Sequence, residues 1–270
     1  ELLGILKEHL FGGKYGKILS IVFFVILVIM IMQTLIVYIL CAAEILHNLL
    51  NLPVPFLKVL FYVIASLVIL SGIKGISKGE KISVWLIGMA IFILSVLSIF
   101  KPYGHLGFTF GKPSLVLAVY GLFMFAFSSI FSIIQVTNYI EDKKHLKSVI
   151  LNGLRLNAFF TIVFAIISIL GSKEVTTIAT IGLAETIHIP FITYLCSIFV
   201  LLAMFTSYWS SGLAFSDIIE LELHVSKRKA WIISTIPTIL IATFVPFTIL
   251  DFIQIGSGAL SVIIVIIIVP

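Results

Sequence analysis

Charge is what this chain has least of. Asp, Glu, Lys and Arg make up 11% of its 270 residues, against about 25% in an ordinary soluble domain. That deficit excludes a water-soluble fold of this length. The two cysteines, Cys41 and Cys196, both fall inside apolar runs, which excludes a disulfide framework and a thiolate metal centre and leaves them as packing residues. The six histidines, His9, His47, His105, His145, His188 and His224, lie in loops or at the ends of apolar runs, so no ligand pair for a haem or a metalloprotease zinc is formed. Gly16-Lys17 and Gly111-Lys112 lack the upstream glycine of a phosphate loop and are followed by Ile and Pro, so no ATP site is read there. No paired aspartates mark a prenyl or glycosyl transferase. The chain is not expected to be an enzyme.

What is present is apolar: 61% hydrophobic residues, 23 of them Phe. Runs of about 20 such residues cross a roughly 30 Å hydrocarbon core as helices, because lipid offers no partner for free backbone groups. Eight runs are drawn, at about 18–50, 54–73, 82–100, 113–140, 155–171, 189–217, 230–248 and 250–269. The expected fold is therefore an all-α polytopic protein of the plasma or inner membrane, with the lipid bilayer as one partner. Segments 1–17, 74–81, 141–155 and 220–229 hold 13 of the 17 Lys and Arg residues; the opposite loops hold only Lys58, Lys101, Lys112 and Lys173. By the positive-inside rule both ends of the sequence are expected on the cytoplasmic side. The net charge of +5 is then topology and implies no nucleic-acid partner.

Span lengths carry a second message. The first and sixth spans are longer than a perpendicular helix needs, and each is followed by two shorter ones; the first runs outward and the sixth inward. That is the pattern of an inverted-topology repeat, with residues 1–112 as the last three helices of one copy and 113–270 as a second copy of five. A long helix followed by two short ones recurring by chance is the alternative. Two helices would then precede Glu1. Loop 101–113, rich in Gly and Pro, is expected to join the halves outside, and 172–188 to form a short helical cap on that face or an ordinary surface loop.

Polar residues inside apolar spans mark candidate sites. In residues 203–229, AMFTSYWSSGLAFSDIIELELHVSKRK, Thr206 and Ser210 are four apart, as are Ser207 and Ser211, so the hydroxyls form two adjacent ladders on one helix. Such oxygens can ligate Na+ beside freed carbonyls. They can equally serve as small contact residues between helices. Gln33 and Thr34, midway along the first span, are candidates for lining a polar cavity. In the fourth span Ser128, Ser129 and Ser132 sit among Phe125, Phe127 and Phe131, either at a broken helix holding substrate or on a continuous one. Gln254, Gly256, Ser257, Gly258 and Ser261 of the last span read more naturally as packing. The acids Glu44, Asp217 and Asp251 fall near span ends, where structural or gating roles are expected.

This arrangement resembles the amino acid-polyamine-organocation superfamily, with its five-plus-five inverted repeat. TSYWSSGLAFSDIIELELHVSKRKAW is similar to the eighth helix and following loop of sodium-coupled members; NYIEDKKHLKSVILNG resembles the end of the sixth helix and its basic loop in aromatic and neutral amino acid permeases; FTILDFIQIGSGAL resembles their tenth helix. The resemblance spans the chain as helices three to ten. It implies a secondary amino acid transporter without a prosthetic group. Thr206 and Ser207 would be side-chain ligands of a coupling Na+, and Phe125, Phe127, Ser128 and Ser129 would lie on the substrate side. Some relatives replace the sodium by a Lys on the fifth helix. Span 82–100 contains no Lys, which favours Na+ over H+. A permease-like receptor subunit of the spore germinant type, binding a small molecule without net flux, is the alternative on the same fold.

Overall fold

A computed structural model describes residues 16–100, 116–127, 140, 142–174, 176, 178–260 and 262. Among them the regular structure is entirely helical. In chain order, α1 is Gly16–Leu50, α2 Val54–Leu70, α3 Ile73–Phe100, α4 Val116–Phe127, α5 Leu146–Gly171, α6 Ala179–Ile187, α7 Pro190–Leu223, α8 Lys227–Phe244 and α9 Ile249–Phe252, which continues as a π-helical segment Ile253–Leu260. Four helical stretches, Gly16–Leu50, Gly79–Phe100, Lys143–Gly171 and Pro190–Leu223, are long and apolar enough to cross a membrane.

The helices start and stop where the chemistry directs. Pro190 opens α7 and Pro53 immediately precedes α2, positions where a missing N–H costs nothing. Thr248 caps α9 reciprocally with Asp251: the Asp251 N–H donates to Thr248 Oγ1 at 3.2 Å and the Thr248 N–H to Asp251 Oδ2 at 2.8 Å. Asp251 therefore has a structural role, that of a capping box. Helices α3 and α5 begin well before the expected spans at 82 and 155, because their Lys-bearing first turns are polar yet still helix-forming. Residues 179–187 of the expected cap segment are helical, and its last residue, His188, ends α6 in the left-handed region at φ 52°.

The outward surface is hydrophobic. Phe100 is 79% exposed, and Trp85 and Phe244 each 78%, in a chain with few charges to cover them. A surface of this kind on long apolar helices belongs to an integral membrane protein.

The two longest helices form the core. Helix α7, of 34 residues, packs against α1, α2, α3, α6 and α8, and α1, of 35, packs against α2, α7, α8 and the π-helical segment. Each is about 50 Å long, well beyond the hydrocarbon thickness. They run antiparallel: Leu35 lies by Gly212, Tyr38 by Ser207 and Ser211, Cys41 by Ala203 and Asn48 by Thr193.

Helices α2 and α8 also pair antiparallel, through three polar ties. Lys58 Nζ donates to the Ala242 carbonyl at 2.6 Å, the Tyr62 and Thr235 hydroxyls meet at 3.2 Å, and Trp231 Nε1 donates to the Ser66 carbonyl at 2.8 Å. In lipid, where burying apolar surface between helices gains little, such bonds and close-packed small residues hold a bundle together. Gly212 of α7 is one such close fit, since a Cβ there would run into Ile69 of α2.

Candidate functional site

The hydroxyl ladder of α7 faces α1. Thr206 is half-buried and its hydroxyl donates to helix carbonyls one turn back, Leu202 O at 2.9 Å and Ala203 O at 3.1 Å. Its oxygen keeps lone pairs for a further partner. The second ladder, Ser207 and Ser211, lies toward the hydroxyl of Tyr38 on α1. Tyr38 in turn packs edge-on against Phe125 of α4, with ring centroids 5.8 Å apart. One tyrosine thus connects the expected ion-site helix to an expected substrate-side aromatic.

Thr34 lies one turn before Tyr38 and shares its face of α1. It too bonds backward, to Met30 O at 2.8 Å. Phe127 is half-buried at the last described turn of α4, and the carbonyl of its neighbour Ala126 accepts from Asn157 Nδ2 of α5 at 2.8 Å. Ser128 and Ser129 lie outside the described residues. Tyr38, Thr34, Ser207, Ser211 and Phe125 form one polar-aromatic constellation along the α1–α7 seam.

Sequence reasoning missed Tyr38. The available signal was its depth: tyrosines in membrane helices favour the interfaces, where the hydroxyl reaches water. A tyrosine far inside a long apolar run, four residues after a threonine, needs a polar partner from another helix.

Gln33 is separated from this constellation by the turn of α1 and faces the π-helical segment. It is 5% exposed, and neither its Oε1 nor its Nε2 has a hydrogen-bond partner among the described residues. Its side chain occupies the hollow left by Gly256, where a Cβ would overlap the amide. Beside it is an apolar cavity of about 270 Å³, bounded also by Met32, Ile241, Phe247 and Phe252. The π-helical turn brings Gly256 and Gly258 close to two neighbours at once, because Gly121 of α4 packs on the Gly258 backbone, its would-be Cβ 3.2 Å from Gly258 Cα. A helix widened to i→i+5 bonding is uncommon and concentrates at functional sites. The glycines of the last span admit an unpartnered amide at one side and a helix backbone at the other.

A separate apolar cavity of about 200 Å³ lies farther along the same seam, lined in part by Cys41, Ala203, Met204 and Thr180. Among the described residues no group of three or more His, Cys, Asp or Glu side chains could hold a metal ion. The chemistry offered is that of hydroxyls, an amide and aromatic faces. It suits reversible binding of a small polar ligand or a hard cation. Neither a protein-family model nor a curated protein matches the chain.

Proposed function

We propose that the chain is a secondary active transporter of amino acids, coupled to Na+ and working by alternating access. In this reading it has eight spans with both ends of the sequence cytoplasmic, and residues 1–112 and 113–270 belong to two inverted repeats. The antiparallel run of α1 and α7, the longest members of the two copies, supports that division. The observation that carries the functional reading is Gln33. An amide buried in an apolar helix without a partner costs about 1–3 kcal/mol, and a chain retains such a group at the midpoint of a membrane span where a ligand supplies what the protein withholds. Gln33 lies against the π-helical segment at Gly256, and transporters place their midplane sites where a helix departs from regular geometry. The substrate contacts are then Gln33, Thr34, Phe125, Phe127, Ser128 and Ser129, with Tyr38 between them and the hydroxyls of α7.

In this mechanism Na+ is held by Thr206 and Ser207 and acts only through its different affinity for the two conformations. Ser207 lies toward Tyr38, so that occupancy at α7 would be felt on α1. Thr206 can accept the ion while its proton stays on the helix backbone. The test is uptake of radiolabelled amino acids into proteoliposomes under an imposed Na+ gradient. Accumulation that collapses with the gradient is expected; binding without flux would point instead to a receptor subunit. In the same assay Thr206→Ala plus Ser207→Ala should remove the Na+ dependence, with thermal unfolding of the variant as the check that the bundle is retained. Unchanged Na+-dependent uptake in that variant would sink the ion-site assignment.

A further inference from the structure

Where α1 ends, α6 ends and α7 begins, three helix termini surround a cavity of about 480 Å³. Its polar lining is Asn48 of α1, Thr180 and Glu185 of α6, His188, and Thr193 and Ser197 of α7. Two features set this cavity apart. First, its charge is one-sided. Glu185 is exposed and lines it, and among the described residues no Lys or Arg does. Second, it contains a polar atom in wait. Thr180 is 2% exposed and its hydroxyl has no hydrogen-bond partner among the described residues. His188, held in the left-handed region at φ 52°, closes the rim, and such backbone strain in a non-glycine residue concentrates at binding sites.

Thr180 also lines the 200 Å³ cavity on the other side, with Cys41 and Ala203. Those two residues lie about one helical turn from Tyr38 and Ser207 on their respective helices. Thr180 therefore borders both the terminal cavity and the cavity on the α1–α7 seam.

We propose that the terminal cavity is a binding site for a small compound carrying a primary ammonium group, with Glu185 as its counter-ion and the Thr180 hydroxyl as a hydrogen-bond partner. The site is distinct from the constellation around Tyr38, about 15 Å farther along α1, and its existence does not depend on transport. Asn48, Thr193 and Ser197 supply further polar contacts around the ammonium's carbon skeleton, and the half of the wall that is apolar accepts a short aliphatic chain.

Isothermal titration of the purified full chain with three matched probes tests this: isopentylamine, isopentyl alcohol and 4-methylpentanoate at neutral pH. The amine is expected to bind saturably and about fivefold or more tighter than the other two, the upper range for a partly exposed ion pair. Glu185→Gln should bring the amine to the level of the alcohol without loss of thermal stability, since Glu185 is on the exposed side of α6. Thr180→Val should weaken the amine and the alcohol alike. Equal affinity for all three probes overturns the proposal. An amine preference that survives in Glu185→Gln places the ammonium at another acid and overturns it too, as does undiminished binding in Thr180→Val.

Discussion

Replacing Gln33 by leucine is expected to raise the stability of the protein and to weaken its uptake by raising the substrate concentration needed. The two effects have opposite signs for one reason. The Gln33 amide is buried with neither polar atom paired among the described residues, so the folded state bears the desolvation of a group it does not satisfy. Leucine has nearly the same shape and no such requirement, and removing the amide should stabilise by about 1–3 kcal/mol. Function should move the other way. If the amide completes its hydrogen bonds with the ligand, its loss removes about 1.5–3 kcal/mol of binding to a charged group, a 10- to 100-fold rise in the substrate concentration needed for uptake. Thermal unfolding of the purified protein and uptake in proteoliposomes measure the two arms. A leucine variant that is less stable and transports normally would show Gln33 to be a satisfied structural residue, and the functional reading built on it would fall.

The second large effect is structural. Gly212 is buried where α7 crosses α1 and α2, and a Cβ there would strike the Cδ1 of Ile69 while lying 3.8 Å from Leu35 Cδ2. Gly212→Leu should destabilise by about 3 kcal/mol or more, the upper range for overpacking a filled interior. Gly212→Ala should be nearly neutral, because the atom it meets is the end of a flexible side chain, and alanine regains roughly 1 kcal/mol of helix propensity over glycine. Ile69→Ala in the Gly212→Leu background should restore most of the loss, since the two side chains compete for one space. Denaturation midpoints of the four proteins decide the matter: additivity of Gly212→Leu and Ile69→Ala would mean that the helices do not meet at this point.

The geometry also assigns different tasks to residues that look alike in one dimension. Thr206, Ser207 and Ser211 are interchangeable small hydroxyls by composition. In the bundle Thr206 donates to its own helix backbone, whereas Ser207 and Ser211 lie toward Tyr38 of α1. The same holds for Gln33 and Thr34, adjacent in sequence and about 100° apart around α1: one meets the π-helical segment and the other shares a face with Tyr38.

Much of this protein is set one residue at a time by local physics. Scarcity of charge and continuous runs of about 20 apolar residues point to helices in a bilayer, since a helix satisfies its backbone hydrogen bonds within one such run and a lone strand does not. The lengths of α1 and α7, the short helix within 172–188 and the capping role of Asp251 follow from run length, Pro placement and a Thr-x-x-Asp spacing that can be read directly. Long-range choices were out of reach of any such pattern. That Gln254–Ser257 lies in a π-helical stretch, that Gly256 makes room for Gln33, that Tyr38 lies between Ser207 and Phe125, and that Thr180 borders two cavities all depend on which helix faces meet. Uniformly apolar helices carry almost no amphipathic bias to orient them, because lipid and protein neighbours are alike in polarity. Steric fit at glycines and a few buried hydrogen bonds select the rotation of each helix, and those are properties of pairs of residues far apart in the chain.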